Sequence, residues 1–109
     1  TSYPSATVIR LLRALPVGLR LEHWGDTDPY GYDILRDLRE RTGRDIAAFR
    51  MAYRPGPGKK LTKPEISRLE RLIAEPLLFD VRPELLAMRA AGNKGFFEQE
   101  SLDAVIRRD

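Results

Sequence analysis

Apolar residues recur along the chain at spacings that predict an alternation of helices and strands. Residues 4–15 form the first predicted helix, with Ser5 as its N-cap and Pro16 and Gly18 ending it. Its apolar stripe, which has a helical period, comprises Val8, Leu11, Leu12 and Leu15. The run at residues 19–24 follows, and we predict that it forms a strand.

A second helix is predicted directly after this strand. Pro29 suits its first turn, and Gly43 suits its end near Thr42. The residues expected to face inward are Ile34, Leu35 and Leu38, and those expected on a solvated face are Arg36, Arg39, Glu40 and Arg41. Residues 45–53 are a second strand candidate with Phe49, Met51 and Tyr53 on one face. The order αβαβ predicts a parallel sheet with right-handed crossovers.

The remaining segments are predicted to be helical after a loop. Residues 54–60 have no periodic pattern and read as a mobile, basic Pro/Gly loop. Thr62 and Glu65 form a capping box for a third helix. The apolar face of that helix comprises Ile66, Leu69, Leu72 and Ile73. Residues 77–81 are an apolar link, a fourth helix runs from Pro83 to Gly92, and residues 96–108 form a final helical segment.

Composition restricts the class of protein. The 109 residues allow one small domain, and the chain begins with Thr1, which suggests a piece of something longer. No stretch approaches the ~20 apolar residues that a membrane span needs, and no signal peptide is visible. The absence of cysteine excludes disulfides and fits a cytoplasmic protein. A net charge of +3 is compatible with nucleic acid but does not require it.

The main candidate for chemistry is the aspartate pair at the end of the first strand. In an extended backbone, residues two apart point to the same side, so Asp26 and Asp28 are expected to project together. The carboxyl end of a strand is the usual place for a site in an open α/β sheet. Two carboxylates suit Mg²⁺ or Mn²⁺, which retain waters or bind substrate phosphates. The alternative is a solvated turn in which Asp28 caps the second helix.

These residues lie in a recognisable motif. Residues 24–31, Trp-Gly-Asp-Thr-Asp-Pro-Tyr-Gly, resemble the aspartate motif of Toprim domains, and in particular that of the nuclease subunit of Wadjet plasmid-defence systems (JetD type). Further matches are Tyr3-Pro4-Ser5, Ile34-Leu35, Leu38-Arg39, Leu61-Thr62 with Glu65, and residues 97–100. The motif is also similar to that of the topoisomerase VI A subunit, in which a segment like residues 84–88 precedes a Lys, here Lys94. The resemblance covers essentially the whole chain.

The resemblance implies a fold and an activity. The fold would be a Toprim-like (Rossmann-like), mostly parallel sheet flanked by helices, with a helical C-terminal part. The activity would be DNA cleavage with Mg²⁺ or Mn²⁺ held by Asp26 and Asp28, in a cytoplasmic system that includes a condensin-like motor complex. Toprim sites take a Glu from an earlier strand, which we expect to lie before residue 1. The fragment would then lack its first strand and cleave DNA poorly alone. Cutting both strands would suit a homodimer.

Other residues are candidates for supporting roles. Arg54, Lys59 and Lys60 flank the Pro/Gly loop and could contact DNA phosphates, as could Lys94. His23 is expected to support the site rather than to act as a base. Two acidic residues of the C-terminal motif could orient a cation or assist a second metal, or could simply be solvated: Glu98 and Glu100.

Two other functions fit parts of the sequence. An Asp-Thr-Asp after a strand also resembles the first motif of haloacid-dehalogenase-type phosphatases, in which one Asp is the nucleophile. That motif normally continues differently from the Pro29-Tyr30-Gly31 found here. Alternatively, the acidic turn is structural and the domain is a non-catalytic module for assembly or DNA binding.

Overall fold

Two short parallel strands and the helix that connects them position the candidate site. The computed structural model describes residues 3–95. Its helices are α1 (Ala6–Ala14), α2 (Pro29–Thr42), α3 (Lys63–Ile73) and α4 (Arg82–Ala91), and its strands are β1 (Leu21–His23) and β2 (Ile46–Ala48). A 3₁₀ helix, Pro76–Val81, occupies the predicted apolar link. The helix predicted for residues 96–108 lies outside the described residues.

The strands confirm the α/β class and the parallel sheet. β1 pairs with β2 in parallel, with Leu21 opposite Ile46 and His23 opposite Ala48. The helix α2 makes the crossover between them, so the order αβαβ holds. Within residues 3–95 the sheet has these two strands. In the same part of the chain, no helix is long and apolar enough to cross a membrane.

The helix α2 is the centre of the packing. It contacts α1, α3, β2 and the 3₁₀ helix. The three residues predicted to face inward, Ile34, Leu35 and Leu38, are buried. Tyr32 is also fully buried, and its hydroxyl donates a hydrogen bond to the Met51 carbonyl. Because so many elements contact this helix, its first turn is held firmly in place next to the candidate site.

The expectation of a solvated face on α2 is wrong for Arg39, whereas Glu40 on that face is exposed. The side chain of Arg39 is 9% exposed. Its Nε donates to the Ile46 carbonyl at 2.9 Å, and its Nη1 donates to the Leu77 carbonyl at 2.6 Å. The two Nη atoms also contact the Asp80 carboxylate at 2.7 and 2.9 Å. Arg39 therefore joins α2 to β2 and the 3₁₀ helix.

The second strand is shorter than predicted, and its proposed common face is wrong. Met51 and Tyr53 are buried, whereas Phe49 is 38% exposed. The reason is Arg50, which has a φ of +53°. A left-handed residue interrupts the alternation of side chains along a strand, and it costs about 1–2 kcal/mol for a residue with a Cβ. Phe49 and Met51 therefore point to different sides.

The apolar stripe predicted for α1 is also displaced. Ile9 is the buried residue of this helix, with Leu12 packed beside the core, while Val8 and Leu11 are exposed. Arg44 helps to set the position of α1, because its guanidinium donates to the Leu12, Leu15 and Pro16 carbonyls at the end of the helix. The N-cap at Ser5 is as predicted.

The connector at residues 54–60 is held against the end of α4. Lys60 pairs with Asn93 in an antiparallel bridge, and the Leu61 amide donates to the Gly92 carbonyl at 3.0 Å. The Lys94 amide donates to the Lys59 carbonyl at 2.9 Å. The predicted mobile loop is thus tied by backbone hydrogen bonds, and it brings Lys94 toward the start of α3.

The predicted ends of the last two helices are confirmed. Thr62 and Glu65 form both hydrogen bonds of the capping box at the start of α3. Gly92 ends α4 with a φ of +72°, as Gly43 ends α2 with a φ of +65°. These conformations favour glycine because it has no Cβ.

Candidate metal and phosphate site

Asp26 and Asp28 lie between the carboxyl end of β1 and the first turn of α2. Both are half-buried, and Thr27 between them is fully buried. Since α2 begins at Pro29, the two carboxylates stand at the positive end of its helix dipole. The place of the pair, at the end of a strand and before a helix, is the one that the sequence predicted.

The carboxylate of Asp28 caps α2. Its Oδ1 accepts a hydrogen bond from the Gly31 amide at 2.6 Å. The capping alternative for Asp28 is therefore confirmed. The cap uses Oδ1 and does not itself occupy Oδ2, so capping and metal binding are compatible.

Gly31 allows the turn to close against the start of the helix. A Cβ at this position would overlap the Asp26 carbonyl oxygen and would lie 2.8 Å from the Asp26 carbonyl carbon. The backbone of Asp26 thus lies directly against the first turn of α2. The glycine therefore allows the close approach of the turn to the helix.

The environment of Asp28 disfavours its ionised form. Burial raises its pKa above the ordinary value of 3.8, and the charges of Asp26 and Glu65 act in the same direction. The Gly31 amide and the charge of Lys94 act against this increase. A cation placed between Asp26 and Asp28 would remove the repulsion between them, which is the electrostatic setting of a cation site.

An ion pair that the sequence did not indicate lies close to the aspartates. Lys94 Nζ is 2.7 Å from Glu65 Oε2, and the two side chains are 19% and 24% exposed. Burial alone would raise the pKa of Glu65, but hydrogen bonds from Lys94 and Thr62 outweigh it and lower that pKa. In the sequence, Glu65 belongs to the capping box and to the Leu61-Thr62 match, and no local signal links it to a residue 29 positions later.

The described chain supplies two carboxylates rather than a complete metal cluster. Among residues 3–95, no three side chains of the His, Cys, Asp or Glu types are grouped so that they could hold a metal ion. Glu22, on the same strand, is exposed and pairs with Arg20 at 3.5 Å. Glu98 and Glu100 lie outside the described residues.

His23 is suited to support the site. Its Nε2 is buried, and within residues 3–95 it has no hydrogen-bond partner. A Cβ at Gly25 would lie 2.7 Å from that atom, so the imidazole packs against the turn that leads to Asp26. Burial and the charge of Arg39 lower the pKa of His23 below 6.5, which keeps the ring neutral at pH 7.

The basic candidates lie around Lys94. Arg54, Lys59 and Lys60 are exposed. The backbone pairing of residues 59–60 with residues 93–94 places Lys59 and Lys60 beside Lys94, and the Arg54 carbonyl lies against Gly95. The arginines of α2 and the following turn are less accessible, because Arg36, Arg41 and Arg44 are half-buried. The loop is therefore the better candidate for a phosphate contact.

A buried aspartate in α2 is a further feature that the sequence analysis missed. Asp33 is 8% exposed and accepts hydrogen bonds from Tyr3, Arg36 at 2.6 Å and Arg68 at 2.5 Å. Burial raises its pKa, but the hydrogen bonds and the two guanidinium charges outweigh this effect and lower it. The cluster joins the N-terminal segment, α2 and α3, and its role is structural.

Comparison with known proteins adds no assignment. No protein family, no curated protein and no solved structure matches this chain.

Proposed function

We propose that this chain carries the aspartate pair of a Toprim-type DNA-cleaving site, like that of Wadjet nuclease subunits and the topoisomerase VI A subunit. Asp26 and Asp28 would bind Mg²⁺ or Mn²⁺. The observation that carries the proposal is the position of both carboxylates between the end of β1 and the start of α2. Lys94 lies near enough to affect the pKa of Asp28.

The donor set suits a divalent ion of this kind. Carboxylate oxygens are the ligands that Mg²⁺ and Mn²⁺ prefer, and the Oδ2 atom of Asp28 is not used by the cap. A bound ion would neutralise charge on a phosphodiester and lower the pKa of a bound water. Lys59, Lys60 and Arg54 would hold the DNA backbone, and Lys94 would add positive charge close to the reacting phosphate.

A complete Toprim-type site would need a Glu besides Asp26 and Asp28, and among residues 3–95 no third side chain of a metal-binding type is grouped with this pair. Two such sites related by two-fold symmetry would cut both strands of DNA. In the intact system we propose a cytoplasmic location and a condensin-like motor complex as the partner that delivers DNA.

Metal binding and DNA cleavage test this proposal directly. Mn²⁺ affinity is measured by electron paramagnetic resonance, and nicking of supercoiled plasmid is followed in Mg²⁺ and in Mn²⁺. Asp26→Asn and Asp28→Asn are the test variants, because an asparagine in place of Asp28 can still cap the helix. Asp45→Asn is the control, since Asp45 is an exposed carboxylate at the opposite end of the sheet, before β2.

We expect both test variants to lose Mn²⁺ affinity and any metal-dependent nicking, and the control to retain them. Equal Mn²⁺ affinity in all four proteins would contradict the proposal.

Hydrolysis of a small phosphomonoester that depends on Asp26 would instead indicate the phosphatase. A non-catalytic module is the second candidate, because Asp28 already has a structural role as a cap; DNA binding without Mn²⁺ affinity would favour it.

A further inference from the structure

A group of exposed side chains lies at the carboxyl ends of both strands. Trp24 follows β1, and Phe49 and Arg50 follow β2. The Phe49 amide donates to the His23 carbonyl at 2.8 Å, which holds the two strand ends side by side. The ring centroids of Trp24 and Phe49 are 6.3 Å apart and nearly perpendicular, and the guanidinium carbon of Arg50 lies 5.3 Å from the centroid of Phe49.

These aromatic rings are not part of the core. Trp24 is 37% exposed and Phe49 is 38% exposed, while the neighbouring Met51 and Tyr53 are buried. Because the two partly exposed rings are nearly perpendicular, a planar group that stacks on one of them meets the other with its edge, and an exposed cation lies beside it.

The backbone at Arg50 creates this arrangement. Arg50 is the one residue other than glycine with a positive φ in the part of the chain that the structure describes. This conformation turns Phe49 out of the core and places the guanidinium over its ring. A glycine or asparagine would adopt it more readily, so strain at an arginine points to a role for its side chain.

The aromatic group is close to the aspartates. Trp24 precedes Asp26 by two residues, a separation of at most about 7 Å between Cα atoms. One nucleotide is long enough to contact both positions. The carboxylates would act on a phosphate, and the rings would face a base attached to it.

We propose that Trp24, Phe49 and Arg50 form a stacking platform for an unpaired nucleobase of the strand bound at Asp26 and Asp28. This inference deepens the proposed function and rests on it for the nature of the substrate. Stacking requires a base that has left its duplex partner. The preferred substrate is therefore single-stranded or melted DNA rather than an intact duplex.

Trp24 provides a direct probe, because it is the single tryptophan of the chain. The protein is titrated in EDTA with a short oligothymidylate, with an abasic oligonucleotide of the same charge, and with a duplex of the same length. Stacking predicts saturable quenching of tryptophan emission by the oligothymidylate. The abasic strand has the same phosphates but no bases, and we expect it to quench little.

Variants then test the other two members of the platform. Phe49→Leu and Arg50→Gly should weaken oligothymidylate binding at least about fivefold, the lower range for loss of one stacking partner. Arg50→Gly keeps the backbone conformation because glycine accepts a positive φ. Phe49→Tyr keeps an aromatic ring and should bind as the wild type does. Affinities are compared rather than quenching amplitudes, since Phe49 contacts the probe itself.

Another exposed Phe–Arg pair serves as the matched control. Phe79 is 72% exposed and has the guanidinium carbon of Arg82 at 5.5 Å from its centroid. It lines a cavity together with Gly43 and Asp45, which precede β2, so it lies at the opposite end of the sheet. Phe79→Leu should leave oligothymidylate affinity unchanged.

Three results would overturn the inference. They are equal quenching by the abasic strand, unchanged affinity in Phe49→Leu and Arg50→Gly, and a Trp24 signal that changes only with protein concentration, which would indicate a protein contact. The outcome is separable from that of the proposed function. Asp26→Asn should lose Mn²⁺ affinity but keep the oligothymidylate affinity measured in EDTA. Phe49→Leu should keep Mn²⁺ affinity but bind the oligothymidylate more weakly.

Discussion

Substitution of Asp28 separates two roles that one carboxylate combines. In Asp28→Asn the amide oxygen can still accept the hydrogen bond from Gly31, but the charge is lost. In Asp28→Ala both the cap and the charge are lost. A comparison of the two variants therefore measures the cap by protein stability and the charge by metal affinity.

The size of the capping effect follows from the position of α2. Loss of a side-chain N-cap costs about 1 kcal/mol, with a range of about 0.5–2 kcal/mol. In a domain of this size, about 1 kcal/mol lowers Tm by about 4–8 °C. Since α2 contacts α1, α3, β2 and the 3₁₀ helix, we expect the loss to affect the whole domain. Asp28→Ala should therefore have a Tm about 4–8 °C below that of Asp28→Asn, which has lost the same charge but keeps the cap.

In the absence of metal, the negative charge of Asp28 lowers the stability of the fold, whereas its helix cap raises it. The pKa of Asp28 is raised in the folded state, so the folded protein binds more protons at this group than the unfolded chain does. The resulting stabilisation is present below the unfolded value of 3.8 and is lost as the pH rises through the folded pKa. Asp28→Asn should equal the wild type in acid and match or exceed its stability at pH 7.

Thermal unfolding followed by circular dichroism, in EDTA and in Mn²⁺, checks these expectations. In EDTA at pH 7 the Tm of Asp28→Asn should be at or above that of the wild type, and the Tm of Asp28→Ala should be below that of Asp28→Asn. Mn²⁺ should raise the Tm of the wild type, since a ligand of the folded state stabilises by RT ln(1 + [L]/Kd). Equal Tm values for the two variants would refute the capping argument. An equal increase by Mn²⁺ in Asp28→Asn would refute the ligand argument.

Three other substitutions test the surroundings of the site. Gly31→Ala should lower Tm and Mn²⁺ affinity together. The overlap of the new Cβ with the Asp26 carbonyl costs about 1–3 kcal/mol, which exceeds the gain in helix propensity of about 1 kcal/mol. An unchanged Tm would contradict this expectation. Arg39→Gln should cost about 1–3 kcal/mol in urea unfolding by leaving the buried Ile46 carbonyl without its donor. Asp33→Asn should lower the free energy of unfolding at pH 7. The ionised Asp33 stabilises the fold above its unfolded pKa of 3.8, and this stabilisation is lost as the pH falls through its lowered folded pKa, so the difference between the variant and the wild type should vanish there. A difference that does not depend on pH would refute this expectation.

The sequence determined those features that depend on neighbours within one helical turn. Ser5 and Thr62 cap their helices as predicted, Asp28 caps α2 as the alternative interpretation of the turn had it, and Gly43 and Gly92 end their helices. The position of the aspartate pair was predictable because it lies where a strand ends and a helix begins, and both of these have local sequence signals. The α/β order was predictable for the same reason.

Contacts between distant residues were decided by the tertiary structure. Lys94 reaches Glu65 only because residues 59–60 pair with residues 93–94, and Arg39 becomes buried only because β2 and the 3₁₀ helix offer it three acceptors. Periodicity could not reveal the left-handed Arg50, since one residue reverses the side-chain alternation on which the strand prediction depends. Local hydrogen bonds set the ends of the helices, whereas the surroundings of Asp26 and Asp28 depend on how those helices pack.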